Sequence, residues 1–293
     1  MTISSRDFLG IQDLPVITQF FDEARGLVGH DKGFLHAGDV WWRYGQYEPE
    51  LHQFRLWFAD DHLIGVGWVT SGGFNFLETH LHPTLEDAVH DAVAREILEW
   101  AVLVSKVDVQ TSSTPDNPRL TAVLESYGFV EEETEMLIYL CDLNHPIPDV
   151  ELPKGFQARP VLEDELEERV SVHRDAFDPS KFTLQRYARV RSMPGYRPEF
   201  DLVIVTPQRE FAAFCLVWHS DGVGEFEPVG TRASWRRQGL GRAVMLEGLQ
   251  RLKAAGAHAA TVYSKPENRA FYESCGFVVV NRWQDYVLKR GAS

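Results

Sequence analysis

The stretch Arg236-Arg237-Gln238-Gly239-Leu240-Gly241 decides the fold that we predict for this chain. It follows a strand-like run at residues 225–231 and opens a run at residues 240–252 in which apolar residues recur at helical spacing. The first N–H groups of a helix have no partner within the helix, and the helix dipole places partial positive charge there. Glycines at positions 239 and 241 keep side chains away from these groups. The segment therefore predicts a cradle for phosphate groups.

Three kinds of phosphate loop place glycines before a helix, and the residues around Gly241 distinguish them. A Walker loop ends in Gly-Lys-Ser/Thr, whereas Arg242 and Ala243 follow Gly241 here. A dinucleotide fingerprint has a third glycine at the position where Val244 stands. The remaining pattern, Arg-x-x-Gly-x-Gly, resembles the acetyl-CoA loop of the GNAT superfamily of N-acetyltransferases. A glycine-rich turn before an ordinary helix is the alternative interpretation.

A second motif downstream supports the same resemblance. A strand is predicted at residues 259–263, followed by a capping box at residues 264–267 and a helix that ends near Cys275. The stretch Asn268-Arg269-Ala270-Phe271-Tyr272-Glu273-Ser274-Cys275-Gly276-Phe277 resembles the second GNAT motif, in which a tyrosine stands four residues before Gly-Phe. The family's usual asparagine lies seven residues before that tyrosine, where this chain has Lys265, so the role of Asn268 is open.

The chain repeats itself once, which predicts two domains. The run Glu125-Ser126-Tyr127-Gly128-Phe129 returns 148 residues later as Glu273-Ser274-Cys275-Gly276-Phe277. Each half also has three strand-like runs before its helix, at residues 53–59, 63–70 and 75–81 and at residues 201–205, 210–218 and 225–231. We expect an α/β (α+β) fold of two tandem GNAT-like domains, each a mixed, mostly antiparallel sheet flanked by helices. They occupy residues 1–145 and 154–293, and a proline-rich linker spans residues 146–153.

The two copies differ at the positions that would hold phosphates. These are Arg236, Gly239 and Gly241 in the second copy and Glu86, Val89 and Asp91 in the first. Two carboxylates would repel a pyrophosphate, and the branched side chain would fill the space that glycine leaves. The first copy also has Leu124 where the second has Tyr272. We therefore expect a degenerate CoA loop in residues 1–145, and catalysis and acetyl-CoA binding in residues 154–293.

The GNAT resemblance implies direct transfer of an acetyl group from acetyl-CoA to a primary amine. It gives Glu225 the role of preferred base for the amine proton, makes Glu227 the second candidate, and makes Tyr272 the acid toward the CoA sulfur. Alternation along the strand places both glutamates on one face. A solvated strand face or a salt bridge is the alternative for each glutamate, and a packed aromatic side chain is the alternative for Tyr272.

The same resemblance implies which residues hold acetyl-CoA. Backbone groups of Val229 and Thr231 would bind the thioester end and the pantetheine arm, near Pro228, which predicts a strand edge or a bulge. The pyrophosphate loop would consist of Arg236, Arg237, Gln238, Gly239, Leu240, Gly241 and Arg242. Asn268 is a further cofactor-binding candidate. We expect no metal, because the histidines at positions 80, 82 and 90 have no further ligand nearby in the sequence.

Charge separates the two halves of the chain. The amino-terminal half, residues 1–148, holds 8 Lys+Arg and 24 Asp+Glu, a net charge of −16, whereas the carboxy-terminal half, residues 149–293, has a net charge of +2. We expect a small cationic amine as the acceptor, no nucleic-acid or membrane partner, and a monomer or a homodimer. Acidity that serves solubility alone is the other interpretation. The segment at residues 36–43, rich in aromatic and charged residues, would line a substrate cleft or cover the first sheet.

Three functional classes stay open at this level. The first is an acetyl-CoA-dependent N-acetyltransferase that acts on a small amine. The second is a non-catalytic sensor of CoA or acyl-CoA. The third is a bacterial thiol-biosynthesis enzyme that acetylates an amino-sugar cysteine conjugate. Three cysteines do not make a disulfide framework, and no run of 18 apolar residues occurs, so we expect a cytoplasmic protein.

Overall fold

Twelve strands form one continuous mixed sheet in the computed structural model, which describes residues 2–71 and 75–290. In chain order the strands are β1 (Ile3–Asp7), β2 (His52–Ala59), β3 (His62–Ser71), β4 (Asn75–Leu81), β5 (Val109–Ser113), β6 (Val130–Asp142), β7 (Gln157–Pro160), β8 (Asp201–Val205), β9 (Phe211–Ser220), β10 (Val223–Thr231), β11 (Ala259–Ser264) and β12 (Val278–Leu288). Across the sheet they lie in the order β1-β2-β3-β4-β5-β12-β6-β11-β10-β9-β8-β7. Most neighbouring pairs are antiparallel, and β4 with β5 and β10 with β11 are parallel.

Helices from both halves cover the sheet. They are α1 (Leu14–Val28), α2 (Ala37–Gln46), α3 (Asp87–Val104), α4 (Pro118–Tyr127), α5 (Leu166–Ala176), α6 (Leu184–Arg191), α7 (Leu240–Ala254) and α8 (Arg269–Ser274). The apolar residues that predicted α7 are buried, among them Val244, Leu249 and Leu252, and they face β8, β9 and β10. Each such side chain contributes roughly 1.5–3 kcal/mol when fully buried, which fixes α7 on the sheet. Among the described residues, no helix has both the length and the apolar character needed to cross a bilayer.

The last strand of each half lies in the sheet of the other half. The carboxy-terminal β12 pairs with β5 of the amino-terminal half, and β6 pairs with β11 of the carboxy-terminal half. β12 and β6 then pair with each other at the centre of the sheet. The division into residues 1–145, 146–153 and 154–293 stays a prediction. Either half in isolation would therefore lack a strand that extends its sheet.

β10 and β11 pair only near their amino-terminal ends. The parallel register joins Val223 with Ala259 and ends at Glu225 with Thr261. Beyond that point β10 continues along β9, with a register shift between Phe226 and Val229. The irregularity that Pro228 predicts is therefore present, and the two strands separate toward their carboxyl ends.

The helix predicted after β11 begins later than its sequence suggested. Pro266–Asn268 forms a single 3-10 turn, and α8 starts at Arg269. The Ser264 hydroxyl accepts a hydrogen bond from the Asn268 side-chain amide at 2.8 Å and caps no backbone N–H. Ser264 is still part of β11, where it pairs with Leu137, so it does not stand at a helix start. The predicted capping box is thus wrong.

Candidate active site

The loop between β10 and α7 places two glycines at the start of the helix. Gly239 precedes α7 in a left-handed conformation (φ 79°, ψ −3°), and a Cβ atom added there would meet no other heavy atom within 4 Å. At Gly241 a Cβ would lie 2.9 Å from the Thr231 hydroxyl oxygen, so glycine permits the close approach of the loop to β10. The Ala243 N–H bonds to the Gly239 carbonyl oxygen, so the N–H groups of residues 240–242 precede the helical ladder.

Two arginines of this loop hold the surrounding backbone. Arg236 donates to the carbonyl oxygens of Thr231 at 3.3 Å and Ala176 at 2.9 Å. Arg242 donates to the Ser274 carbonyl oxygen at 2.8 Å. The loop is thereby tied to α5, β10 and the end of α8. Its exposed members are Arg236, Arg237, Gln238 and Gly239.

The loop leads to the separated part of β10. Val229 and Thr231 are half-buried there, and they pair with β9 at Cys215 and Ala213 and not with β11. The backbone edge of β10 that faces β11 therefore lacks a strand partner at these residues. An extended polar chain could bind to such an edge.

A central cavity of about 1060 Å³ lies between the two halves of the chain. Its described lining residues are Leu35, Asp39, Arg43, Phe76, Glu78, Gln110, Ser112, Glu132, Glu133, Thr134, Glu135, Met136, Glu227, Tyr263, Lys265, Pro266, Glu267, Trp283 and Asp285. Eight of these residues are acidic and two are basic. Both halves contribute to the wall, and a cationic ligand would be attracted to it.

Glu227 lies on the wall of the central cavity. Its side chain is half-buried, and the indole N–H of Trp218 donates to its backbone carbonyl oxygen at 2.8 Å. Burial and the nearby Asp39 carboxylate raise the pKa of Glu227 to about 8, against the opposing effects of Arg43 and the Trp42 indole. A carboxyl group with this pKa exchanges protons near neutral pH.

Glu225 lies on the same strand face but is fully buried and is not among the residues that line the cavity. One of its carboxyl oxygens, Oε2, is 3.2 Å from Nδ1 of His36, which is also fully buried. Burial, with the carboxylates of Asp39 and Glu227, raises the pKa of Glu225 well above its ordinary value. The cavity thus contains one of the two predicted base candidates.

Tyr272 is buried on α8 and packs against Tyr139 of β6, with ring centroids 5.2 Å apart. Burial raises the pKa of Tyr272, the Glu227 carboxylate raises it further, and the Ser264 hydroxyl opposes both effects. The phenol therefore stays protonated at neutral pH. The Glu227 carboxylate is thus one of the charges that act on the Tyr272 phenol.

An ion-pair group on the cavity wall was not predicted from the sequence. The Arg43 guanidinium lies 3.2 Å from Asp39 and 2.6 Å from Glu78, over the ring of Trp68. Burial opposes ionisation of Glu78, but Arg43 and His80 outweigh it and lower the pKa of Glu78 to about 2. Asp39 and Arg43 belong to the segment 36–43, which α2 places against β9 and β10. The spacing of four residues between Asp39 and Arg43 could have predicted this ion pair on a helix. The contact with Glu78 could not be predicted in this way, because Glu78 is distant in the sequence.

Asn268 is exposed, and its side-chain amide bonds to Ser264. Lys265, which stands where the family's asparagine is usual, lines the central cavity. The two residues thus take different positions at the β11 side of the cleft.

Known proteins resemble this chain in sequence and in fold. The sequence model of the Acetyltransferase (GNAT) family matches residues 167–277. A mycothiol acetyltransferase from Thermobispora bispora is 27% identical over 85% of this chain and 86% of its own length. A tandem GNAT protein from the clavulanic acid biosynthesis pathway has a TM-score of 0.69 at 12% identity and covers 100% of both chains. A GCN5-related N-acetyltransferase from Sphaerobacter thermophilus has a TM-score of 0.68 at 17% identity, covering 99% of this chain and 97% of the other. Residues 167–277 thus match the GNAT family of acetyltransferases, and the whole chain has a tandem GNAT fold.

Proposed function

We propose that this GNAT N-acetyltransferase transfers the acetyl group of acetyl-CoA directly to a primary amine of a small cationic molecule bound in the central cavity. The observation that carries the proposal is the lining of that cavity. Eight carboxyl-bearing residues and two basic residues surround the space that Glu227 faces. A protonated amine is attracted to such a wall before the reaction and must lose its proton there.

In this proposal Glu227 is the base that removes a proton from the acceptor amine. A free amine with a pKa of about 10 is neutral in roughly one molecule per thousand at pH 7, a deficit of about 4 kcal/mol. A base whose pKa lies near the working pH removes the proton most effectively. Burial and Asp39 hold the pKa of Glu227 at about 8, whereas Glu225 is fully buried and does not line the cavity. These facts support Glu227 as the base, in place of Glu225, which the family resemblance favoured.

Tyr272 is the acid in this proposal. Its phenol keeps its proton because burial and Glu227 raise its pKa. It would donate to the sulfur of the departing CoA thiolate. The electrostatic effect of Glu227 on Tyr272 supports a single reaction site between α8 and β10.

The cleft between β10 and β11 supports the predicted position of acetyl-CoA. Unpaired backbone groups of Val229 and Thr231 would bind the pantetheine arm. The pyrophosphate would lie at the amino-terminal end of α7, against Arg236, Arg237, Gln238, Gly239, Leu240, Gly241 and Arg242. Open space at Gly239 and the unbonded N–H groups of the first turn suit a phosphate group. Asn268 stays a candidate on the β11 side.

The test is release of CoA thiol from acetyl-CoA across a panel of acceptors. The panel contains monoamines, polyamines, neutral and anionic amino compounds, and an amino-sugar cysteine conjugate. The last is included because the relative from Thermobispora bispora is a mycothiol acetyltransferase. We expect the highest kcat/KM for cationic acceptors. Turnover confined to the conjugate would instead assign the chain to thiol biosynthesis, and a preference for anionic acceptors would contradict the proposal.

A further inference from the structure

A buried histidine joins the start of α2 to β10. Nδ1 of His36 accepts a hydrogen bond from the Gly38 N–H at 2.9 Å, so this nitrogen carries no proton. Nε2 lies 3.2 Å from the carbonyl oxygen of Val223, so it carries the proton and donates it. Burial holds the pKa of His36 well below its ordinary value, and the charges that add to this effect are those of Arg25, His219 and His30. The imidazole is therefore neutral, with its tautomer fixed by two hydrogen bonds.

The Glu225 carboxyl group faces this imidazole without a donor. Oε2 is 3.2 Å from the unprotonated Nδ1 of His36, and neither carboxyl oxygen accepts a hydrogen bond of ordinary geometry in the part of the chain that the structure describes. The Asp39 backbone N–H has a small effect that favours ionisation of Glu225, but it donates its hydrogen bond to the His36 carbonyl oxygen at 3.1 Å. No lysine or arginine nitrogen in residues 2–71 and 75–290 comes within 4.0 Å of it. A buried, ionised carboxylate requires donors or a cation, and a protonated carboxyl does not.

Charged groups from three elements and a neutral hydroxyl from a fourth lie around Glu225, and the charges act on its pKa in both directions. Asp39 of α2 and Glu227 of β10 disfavour its ionisation. Arg25 of α1 favours ionisation, although its buried guanidinium makes no ion pair with Glu225. The Tyr263 hydroxyl of β11 is buried, has no hydrogen-bond partner in the described part of the chain, and carries no charge. Burial, the negative neighbours and the lack of a well-placed donor therefore decide the state of Glu225.

We propose that Glu225 keeps its proton during the reaction and is a positioning residue, a neutral carboxylic acid that seats the start of α2 on β10. The inference rests on the proposed function, because the residue it positions is the base Glu227. Helix α2 carries Asp39, Trp42 and Arg43, which act on the pKa of Glu227 in addition to burial. Close packing leaves no freedom at this contact, because a Cβ atom at Gly38 would lie 2.6 Å from Oε2 of Glu225.

Substitution of Glu225 by glutamine tests whether the carboxyl group is neutral during the reaction. Glu225→Gln keeps the size of the side chain, cannot ionise, and should lower turnover by less than about tenfold. Glu227→Gln is the matched variant two residues away, and it should lower turnover by about 10²–10⁴-fold, a typical general-base contribution. Equal losses in the two variants, with the fold intact by circular dichroism, would overturn the inference, because Glu225 would then be acting as a base.

Substitution of Glu225 by alanine tests whether this residue positions α2 or only fills space in the core. In Glu225→Ala the start of α2 can shift, so Asp39 and Arg43 move relative to Glu227. We expect the midpoint of the kcat/KM profile against pH to move in Glu225→Ala and to stay within about 0.3 pH units in Glu225→Gln. The KM for the amine should rise while the KM for acetyl-CoA stays constant. An unmoved midpoint in Glu225→Ala would refute the positioning role.

Infrared spectroscopy reads the proton on Glu225 directly. A protonated carboxyl has a C=O stretch above the amide band, and wild type should keep such a band from about pH 6 to about pH 9. At about pH 9, where Glu227 is mostly ionised, the band should be absent in Glu225→Gln and present in Glu227→Gln. Loss of the wild-type band on raising the pH would show an ionised Glu225. This readout does not depend on turnover, so failure of the proposed function would not obscure it.

Discussion

Glu225 and Glu227 stand two residues apart on one face of β10, yet α2 gives them different environments. One is enclosed with His36, and the other faces an acidic cavity. Because desolvation disfavours the charged form of a carboxyl, both groups hold protons more tightly than in water. The accessible one can exchange its proton with a bound amine.

The charge of Asp39 provides a test of how the base is tuned. Asp39→Asn removes a negative charge that raises the pKa of Glu227, while Arg43, which lowers this pKa, stays in place. The pKa of Glu227 should therefore fall from about 8. Because the base must be ionised to act, the acid limb of the kcat/KM profile should move to lower pH, by about one unit. The control is Asp61→Asn in the exposed turn between β2 and β3. A limb that stays in place or moves upward would contradict this role for Glu227.

The different burial of the two glutamates could not be predicted from the sequence. Strand alternation correctly placed them on one face, but burial of Glu225 comes from His36 and Asp39, which lie about 190 residues away in the chain. The family resemblance favoured Glu225 by its position relative to Thr231, and that position contains no information about α2.

Among the elements, the junction of β10 with α7 is the part that local sequence predicted best. Glycines at 239 and 241, apolar spacing along α7, and the bulge signal of Pro228 are all local properties. The 3-10 turn at Pro266–Asn268 was missed because Ser264 is held in β11 by its pairing with Leu137. Tertiary pairing there outweighed a local capping signal.

Matched substitutions of the glycines at the two ends of α7 test whether the loop before this helix binds the pyrophosphate of acetyl-CoA. Gly239 and Gly256 both have left-handed backbones, with φ of 79° and 88°, and neither would have an atom within 4 Å of an added Cβ. Gly239→Val should weaken acetyl-CoA binding at least tenfold, because the branched side chain would occupy the space proposed for the pyrophosphate. Gly256→Val imposes similar backbone strain away from the loop and should leave the affinity close to that of wild type. Calorimetry should give one site per chain in wild type, and equal affinities in the two variants would refute the site.

At the scale of the whole molecule, the exchange of β6 and β12 joins the two halves by strand pairing in addition to the linker. The repeat predicted two sheets, but which strand extends which sheet depends on pairing between residues such as Tyr286 and Thr111, far apart in the chain. Tyr139 of β6 shows the consequence, because an amino-terminal residue packs on the predicted acid Tyr272.

Cleavage of the linker tests the exchange. A protease site inserted within residues 146–153 of the full chain should be cut without separating the halves, because each contributes a central strand to the other's sheet. The two fragments should co-elute in size-exclusion chromatography at micromolar concentration and keep acetyl transfer. An uncut sample with the same insertion is the control. Separation in native buffer would mean that the exchanged strands do not hold the halves together.

The acidic amino-terminal half and its contribution to the central cavity predict that acceptor binding depends on salt concentration. The amino-terminal half has a net charge of −16, and its residues Glu132 and Glu133 lie on the cavity wall. Attraction between exposed charges is screened over about 8–10 Å at physiological ionic strength. The KM for a cationic acceptor should therefore rise several-fold between about 0.02 and 0.5 M salt, with little change in kcat.

A matched pair of glutamates on β6 separates attraction by the cavity from the general acidity of the protein. Glu133 lines the cavity, whereas Glu131 is exposed and is not among the lining residues, and each variant with glutamine removes one negative charge. Glu133→Gln should raise the acceptor KM and reduce its dependence on salt, while Glu131→Gln should leave both close to wild type. Acetyl-CoA is polyanionic, so its own KM must be measured at each ionic strength to separate weaker cofactor binding from weaker acceptor binding. If the acceptor KM is independent of salt, or if both variants behave alike, the acidity of the amino-terminal half serves solubility and does not attract the substrate.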